Sequence, residues 1–184
     1  MELLEAIRMR RSCRRFRREE VPATILRRLV CEAAIWAPTG GNAQAWRFGL
    51  VTDPALLEAV TLVSPGLPAR AHAVIVICQD LTIARQRSRN FGNEEYALMD
   101  TAMAAQNLML MAHSLGLGTC AVASFHRGGI KAALELPETL VPQLLVAVGY
   151  QAATPVAPAR NTEVWWCDRH GGQDLQGGRD GCGR

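Results

Sequence analysis

Ala73-Val74-Ile75-Val76-Ile77-Cys78 (AVIVIC) is the clearest strand signal in the chain. Six apolar residues in a row, four of them β-branched, suit a strand covered on both faces and therefore central in its sheet. Working outward, Trp46–Thr52 and Gln143–Val148 (QLLVAV) read as further strands, and about Thr119–Ser124 as a short one. Helical patterns lie between and around them. A first helix is expected over Glu2 to about Met9. A second starts after Val21-Pro22, where proline is acceptable in a first turn, and runs to about Trp36 before Pro38 stops it. On it Ile25, Leu26, Leu29, Val30, Ala33, Ala34 and Ala37 recur at helical spacing. Asp53 is placed to cap a third helix through about Val63, and another runs through about Leu134.

The longest helix, Glu95 to Leu115, ends at Gly116 in the C-cap role. It is apolar on most sides. Asp100, Asn107 and Ser114 recur every seven residues and draw one narrow polar stripe along it, which puts this helix in the middle of the protein. Residues 80–94 are polar, rich in arginine and without clear periodicity, so they read as a mobile excursion placed to cover a substrate. Strands and helices alternate irregularly and no repeat is visible. The pattern predicts an α+β fold, a mixed central sheet flanked by helices, and not a doubly wound sheet. One domain is expected over residues 1–166, followed by a glycine-rich, flexible tail over 167–184.

A chain of 184 residues, 49% apolar and 20% charged, has ordinary globular composition. Six cysteines without a C-x-x-C pair or a secretory signal point to free thiols in a reducing, cytoplasmic setting. Cys167, His170 and Cys182 fit no closed zinc pattern, so no metal is expected. The most apolar long stretch, Ala97–Leu117, carries Asp100, Gln106, Asn107 and His113, which favours a buried helix over a membrane span.

Dinucleotide, P-loop, metalloprotease and serine-hydrolase motifs are all missing, and the four histidines are scattered. His113 reads as a hydrogen-bonded helix residue in preference to a base. If the chain is an enzyme, a bound cofactor carries its chemistry. Three segments could build such a site. Arg10-Arg11-Ser12-Cys13-Arg14-Arg15-Phe16 offers forked guanidinium donors, a hydroxyl and backbone N–H groups to a dianion; a basic surface patch is the plainer reading. Pro38-Thr39-Gly40-Gly41-Asn42-Ala43-Gln44-Ala45-Trp46 offers a hydroxyl and two amides to a planar heterocycle, or is only a helix-to-strand loop. Gly116-Leu117-Gly118-Thr119-Cys120, leading into Ala121–Phe125, lets a backbone approach a ligand closely, or is only a helix cap before a core strand.

In order and spacing these segments resemble the nitroreductase family of flavoproteins. Members carry R-R-S-x-R-x-F, then P-S-x-x-N-x-Q-P-W, then a D-x-x-x-A-x-Q-N-x-x-L-x-A-x-x-x-G-L-G-T helix and an arginine-bearing tail. Here these are Arg10–Phe16, Pro38–Trp46, Asp100–Thr119 and Pro158-Ala159-Arg160, so the resemblance covers residues 2 to about 166. It departs in three places: Thr39 stands for serine, Ala45 for proline, and residues 123–124 lack an acidic side chain that some members carry.

The resemblance implies an interlocked homodimer with FMN at the subunit interface. Arg10, Arg11 and Ser12 would hold the phosphate, with Arg160 closing over it. Arg14 would lie near the N1/C2 carbonyl edge, and Ala123 and Ser124 near N5. Pro38, Thr39, Asn42 and Gln44 would come from the opposite subunit, and Trp165 and Trp166 would either dock across that interface or cover a local core edge. The implied reaction is ping-pong hydride transfer from NADH or NADPH to a nitroaromatic, quinone or similar small acceptor, with no protein side chain as catalyst. Specialised flavin chemistry in the same family (substrate dehydrogenation, dehalogenation or flavin breakdown) stays open, as does a non-enzymatic flavin binder. A nucleic-acid module fits poorly, because no aromatic residues interleave with the arginines as stacking platforms.

Overall fold

The computed structural model describes residues 1–69, 71–87, 94–153 and 155–161. In chain order the elements are α1 (Leu3–Met9), α2 (Ala23–Arg28), β1 (Trp46–Val51), α3 (Pro54–Leu62), β2 (Ala73–Asp80), α4 (Leu81–Arg87), α5 (Glu94–Ser114), β3 (Leu117–Val122), α6 (Arg127–Ala133) and β4 (Leu140–Tyr150). Among the described residues four strands form one sheet in the order β1-β2-β4-β3, with each of their pairings antiparallel. The AVIVIC run lies in β2, an inner strand, and each of its residues is buried.

Alternation along the strands sends side chains to two cores. Ile75, Ile77, Leu117, Val146 and Val148 pack with Leu26 and Leu29 and with Ala104, Ala105, Leu108 and Ala112 of α5. Val74, Val76, Cys120, Val122, Leu145 and Ala147 face the other way, against Val60, Ile130, Cys13 and Phe16. A sheet covered on both faces needs strands apolar at every position, which is what β2 supplies.

Some expected bounds move. The helix expected from residue 22 to 36 is α-helical only over α2; it widens into a π turn at Leu29–Ala33 and tightens into a 3-10 turn at Ala34–Trp36. The carbonyl of Ala33, the last residue of the π turn, accepts from Asn107 Nδ2 at 3.4 Å. β4 is longer than the QLLVAV core suggested, because Leu140-Val141-Pro142 is held by pairing with β2 and Gly149-Tyr150 by pairing with β3. The 80–94 stretch is not an excursion throughout. Residues 81–87 form α4, started by Asp80, whose carboxylate accepts from the backbone N–H of Thr82 at 3.0 Å. A helix of two turns carries too little periodic signal to be seen in a sequence. Asp53 caps α3 by accepting from Leu56 N–H at 3.0 Å, and Gly116 ends α5 with φ of 77°, both as expected. No helix among the described residues is long and apolar enough to cross a membrane. The expectations for Trp165, Trp166 and the tail after residue 166 lie outside the described residues.

Candidate functional site

The arginine segment is laid down by backbone bonds. The chain leaves α1 at Arg10, where Arg11 Nη1 donates to the carbonyls of Arg8 and Arg10 and so caps the helix. It then runs extended beside the β3 edge. Ser12 bridges Thr119, and Cys13 N–H donates to the Thr119 carbonyl at 2.8 Å. Further on, Phe16 bridges Gln151, and Arg17 N–H reaches the Tyr150 carbonyl at 2.9 Å. Two glycines permit this contact. A Cβ at Gly118 would fall 2.8 Å from Cys13 Cβ and Sγ, and one at Gly149 would fall 2.8 Å from the Phe16 ring. The second glycine of Gly116-Leu117-Gly118-Thr119 is therefore a packing requirement of the arginine segment.

Charge gathers here, and among the described residues no salt bridge offsets it. Arg10 is half-buried, and burial, then Arg11, then Arg160 pull its guanidinium below the ordinary arginine value. Arg160 thus comes back from far along the chain to the same spot. Arg11 Nε is buried with no hydrogen-bond partner among the described residues. Cys120 lies within reach of Arg14 and Arg10, although burial dominates and raises its thiol above the usual value. Gathered cations and a buried unpaired donor are costly in an empty protein, and a phosphate dianion would offset both.

The second segment is built differently. Gly41, Asn42 and Gln44 all take left-handed backbone angles, with φ of 57°, 54° and 51°. Such angles cost about 1 kcal/mol or more in residues with a Cβ and persist where neighbours hold them. The holders are visible. Asp100 Oδ1 accepts from Gly40 N–H at 3.1 Å, Thr39 Oγ1 accepts from Gln44 N–H at 3.1 Å, and Asn42 Oδ1 accepts from Gln44 Nε2 at 2.8 Å. Arg87 on α4 adds a bond to the Ala43 carbonyl at 3.3 Å. Pro38, Asn42 and Gln44 stay exposed. Asp100 is buried, which raises its carboxyl above the ordinary value, while the Gly40 N–H works the other way.

The two segments do not converge within one chain. The loop feeds β1 at one edge of the sheet, and the arginine segment pairs with β3 at the opposite edge. Along α5 the loop is tied at Asp100 while Arg10 and Arg11 act on His113. At 1.5 Å per residue those two positions are about 20 Å apart. Arg10, Arg11, Ser12, Arg14 and Arg160, with exposed Ala123 and Ser124 just beyond β3, thus stand apart from Pro38, Thr39, Asn42 and Gln44. Three participants were missed in the sequence. Asp100 was seen only as part of a polar stripe, and Arg87 only as one charge among several. His113, expected to be hydrogen-bonded, instead has a buried Nε2 without a partner. Among the described residues no group of three His, Cys, Asp or Glu could hold a metal ion.

Known proteins resemble this chain in sequence and in fold. An NADH dehydrogenase of Thermus thermophilus is 29% identical over 172 residues, 78% of this chain and 83% of its own length. The FMN reductase (NADPH) of Bacillus subtilis is 28% identical over 165 residues, 81% of this chain and 66% of its own. A Desulfovibrio desulfuricans protein solved in complex with FMN superposes with a TM-score of 0.76 at 29% identity, covering 88% of this chain and 93% of that one. The family model described as the nitroreductase family matches residues 7–63 and 61–150, a span holding the arginine segment, the left-handed loop and the whole sheet. By that match, on a fold that agrees with it, the chain belongs to the nitroreductase family.

Proposed function

We propose that this protein is an FMN-dependent NAD(P)H oxidoreductase that works as a homodimer and reduces small acceptors of the nitroaromatic or quinone type by a ping-pong cycle. The observation that carries the reading is the β3-edge cradle. Arg11 and Arg160 lie close enough to Arg10 to lower its guanidinium, and Arg11 Nε is buried with no hydrogen-bond partner among the described residues.

When bound, FMN supplies reversible hydride transfer between nicotinamide and acceptor. Arg10, Arg11, Ser12 and Arg160 bind its phosphate. Arg14 sets a cation at the N1/C2 edge, where it stabilises negative charge and raises the redox potential. Ala123 and Ser124 line the N5 side, where short side chains leave that position open. Pro38, Thr39, Asn42 and Gln44 of a second copy complete the pocket. The distance along α5 supports this, because one chain cannot bring its own loop to its own cradle. Exposed apolar side chains support it too: Leu3, Leu4 and Ile7 on α1, Trp36, which is 76% exposed, and Leu98 and Met99 on α5. So much apolar surface on neighbouring elements marks an interface.

Absorption spectroscopy tests the cofactor and the donor together. Purified protein should show flavin bands that bleach under anaerobic NADH or NADPH. Bands that persist with both donors would overturn the NAD(P)H reading, and protein that takes up no FMN would overturn the cradle. Co-expression of two variants, Arg10→Ala and a combined Asn42→Ala/Gln44→Ala, tests the shared site. Random pairing of copies leaves about a quarter of wild-type sites intact if each site uses both subunits. If each chain holds its own site, none is restored.

A further inference from the structure

His113 is the second orphan of the cradle region. It lies near the C-terminal end of α5, and its Nε2 is buried without a hydrogen-bond partner, as is Arg11 Nε. The charged groups facing it are Arg10 and Arg11, from the segment after α1, and Glu5 on α1 itself. Burial, then Arg10, then Arg11 hold the imidazole below the usual histidine value, and Glu5 works the other way. A ring with a buried, unpartnered Nε2 therefore stands beside the Arg10 and Arg11 cations.

We propose that His113 is a proton-taking positioning residue of this cradle: a phosphate dianion arriving at Arg10, Arg11 and Arg160 draws one proton from solvent onto its imidazole. The reasoning rests on the FMN-phosphate assignment above and goes one step beyond it. The two arginines disfavour the imidazolium in the free protein. A dianion beside them offsets that repulsion, and Nε2 is the ring atom with no hydrogen-bond partner among the described residues to lose. The balance is simple: one proton leaves bulk water and forms an N–H bond, while the phosphate keeps its charge. The sign follows. His113 is lowered when free and raised when the dianion is bound, so between those two values binding takes up a proton and tightens as pH falls.

Isothermal titration of FMN into the apo dimer, in buffers of different ionisation enthalpy, counts the protons directly. Near neutral pH wild-type protein should take up more protons per site than His113→Gln, with the difference approaching one, and its Kd should rise up to about tenfold per pH unit across the window. FMN's own phosphate titration contributes equally to both proteins, so it cancels in the difference. Riboflavin, which lacks the phosphate, should show no difference between them. Equal proton counts for FMN in wild type and variant would overturn the proposal. Should His113→Gln fold poorly, the histidine resonances of wild-type protein can be titrated with and without inorganic phosphate. A raised His113 pKa is expected, and an unchanged one with phosphate bound would overturn it. Failure of wild-type protein to bind FMN at all would instead refute the cofactor reading.

Discussion

The cradle and the loop sit at opposite ends of α5 and solve opposite problems. The cradle is positively charged and half-buried, and it is held by backbone bonds to β3 and β4 while its guanidinium groups repel one another. The loop is uncharged and exposed, and side-chain bonds hold its backbone in left-handed angles. One region stores unfavourable electrostatics that a ligand can relieve. The other stores conformational strain that shapes a surface. The lesson is that each chain carries two half-sites with different physics, so the same kind of mutation should have different readouts in each.

The largest contrast is expected from charge removal. Arg10→Ala with Arg11→Ala should weaken FMN binding by roughly 10³-fold, taking about 2 kcal/mol for each charged hydrogen bond. Flavin fluorescence titration gives the number. Thermal stability of the apo protein should hardly fall through the Arg10 change, since its charge is opposed by burial and by its neighbours.

A methyl group added to glycine gives the next largest effect, with a reversal between the regions. Gly118→Ala places Cβ 2.6 Å from Gln151 Cγ and 2.8 Å from Cys13, so the arginine segment must shift. A stability loss of about 1–3 kcal/mol is expected, with weaker FMN binding. Gly41→Ala meets no atom within 4 Å but must keep φ at 57°. Its cost should be about 1 kcal/mol of backbone strain, with FMN affinity nearly unchanged in protein held monomeric. Denaturant melts separate the two, and equal losses would erase the distinction.

The smallest effect concerns the anchor of the loop. Burial raises the Asp100 carboxyl above its unfolded value, so its contribution to stability is full below the unfolded value and is lost as pH rises through the folded one. Asp100→Asn keeps an acceptor for the Gly40 N–H and removes that titration. The variant should therefore equal or slightly exceed wild type at neutral pH and lose its advantage in acid, by about 1 kcal/mol at most. Wild-type and variant melting curves between acid and neutral pH provide the check. A variant less stable at neutral pH would mean that the ionised carboxylate strengthens the Gly40 bond more than burial weakens it.

Local chemistry was legible in the sequence wherever a pattern acts over a few residues. An unbroken apolar run made β2 inner, Asp53 and Gly116 marked helix ends, and the collinear segments carried the resemblance to a flavoprotein family. Asp100, Asn107 and Ser114 announced contacts of α5 without naming them. The fold supplied Gly40 for Asp100 and the Ala33 carbonyl for Asn107, whereas Ser114 only bonds back to Met111 on its own helix.

Other features required the assembled chain. Short α4 and the π turn after α2 carry no period long enough to detect, and they exist because tertiary contacts hold them. Arg160 reaches Arg10 across most of the sequence, so their proximity is a consequence of chain path alone. His113 looked like any polar residue on a helix until packing buried its Nε2 beside two arginines. Sequence by itself thus determined which side-chain chemistry was on offer and which strand must be inner, because side-chain chemistry and periodicity are local. Only the tertiary structure decided that the cradle and loop lie at opposite sheet edges, because strand order is settled by long-range pairing that no short window contains.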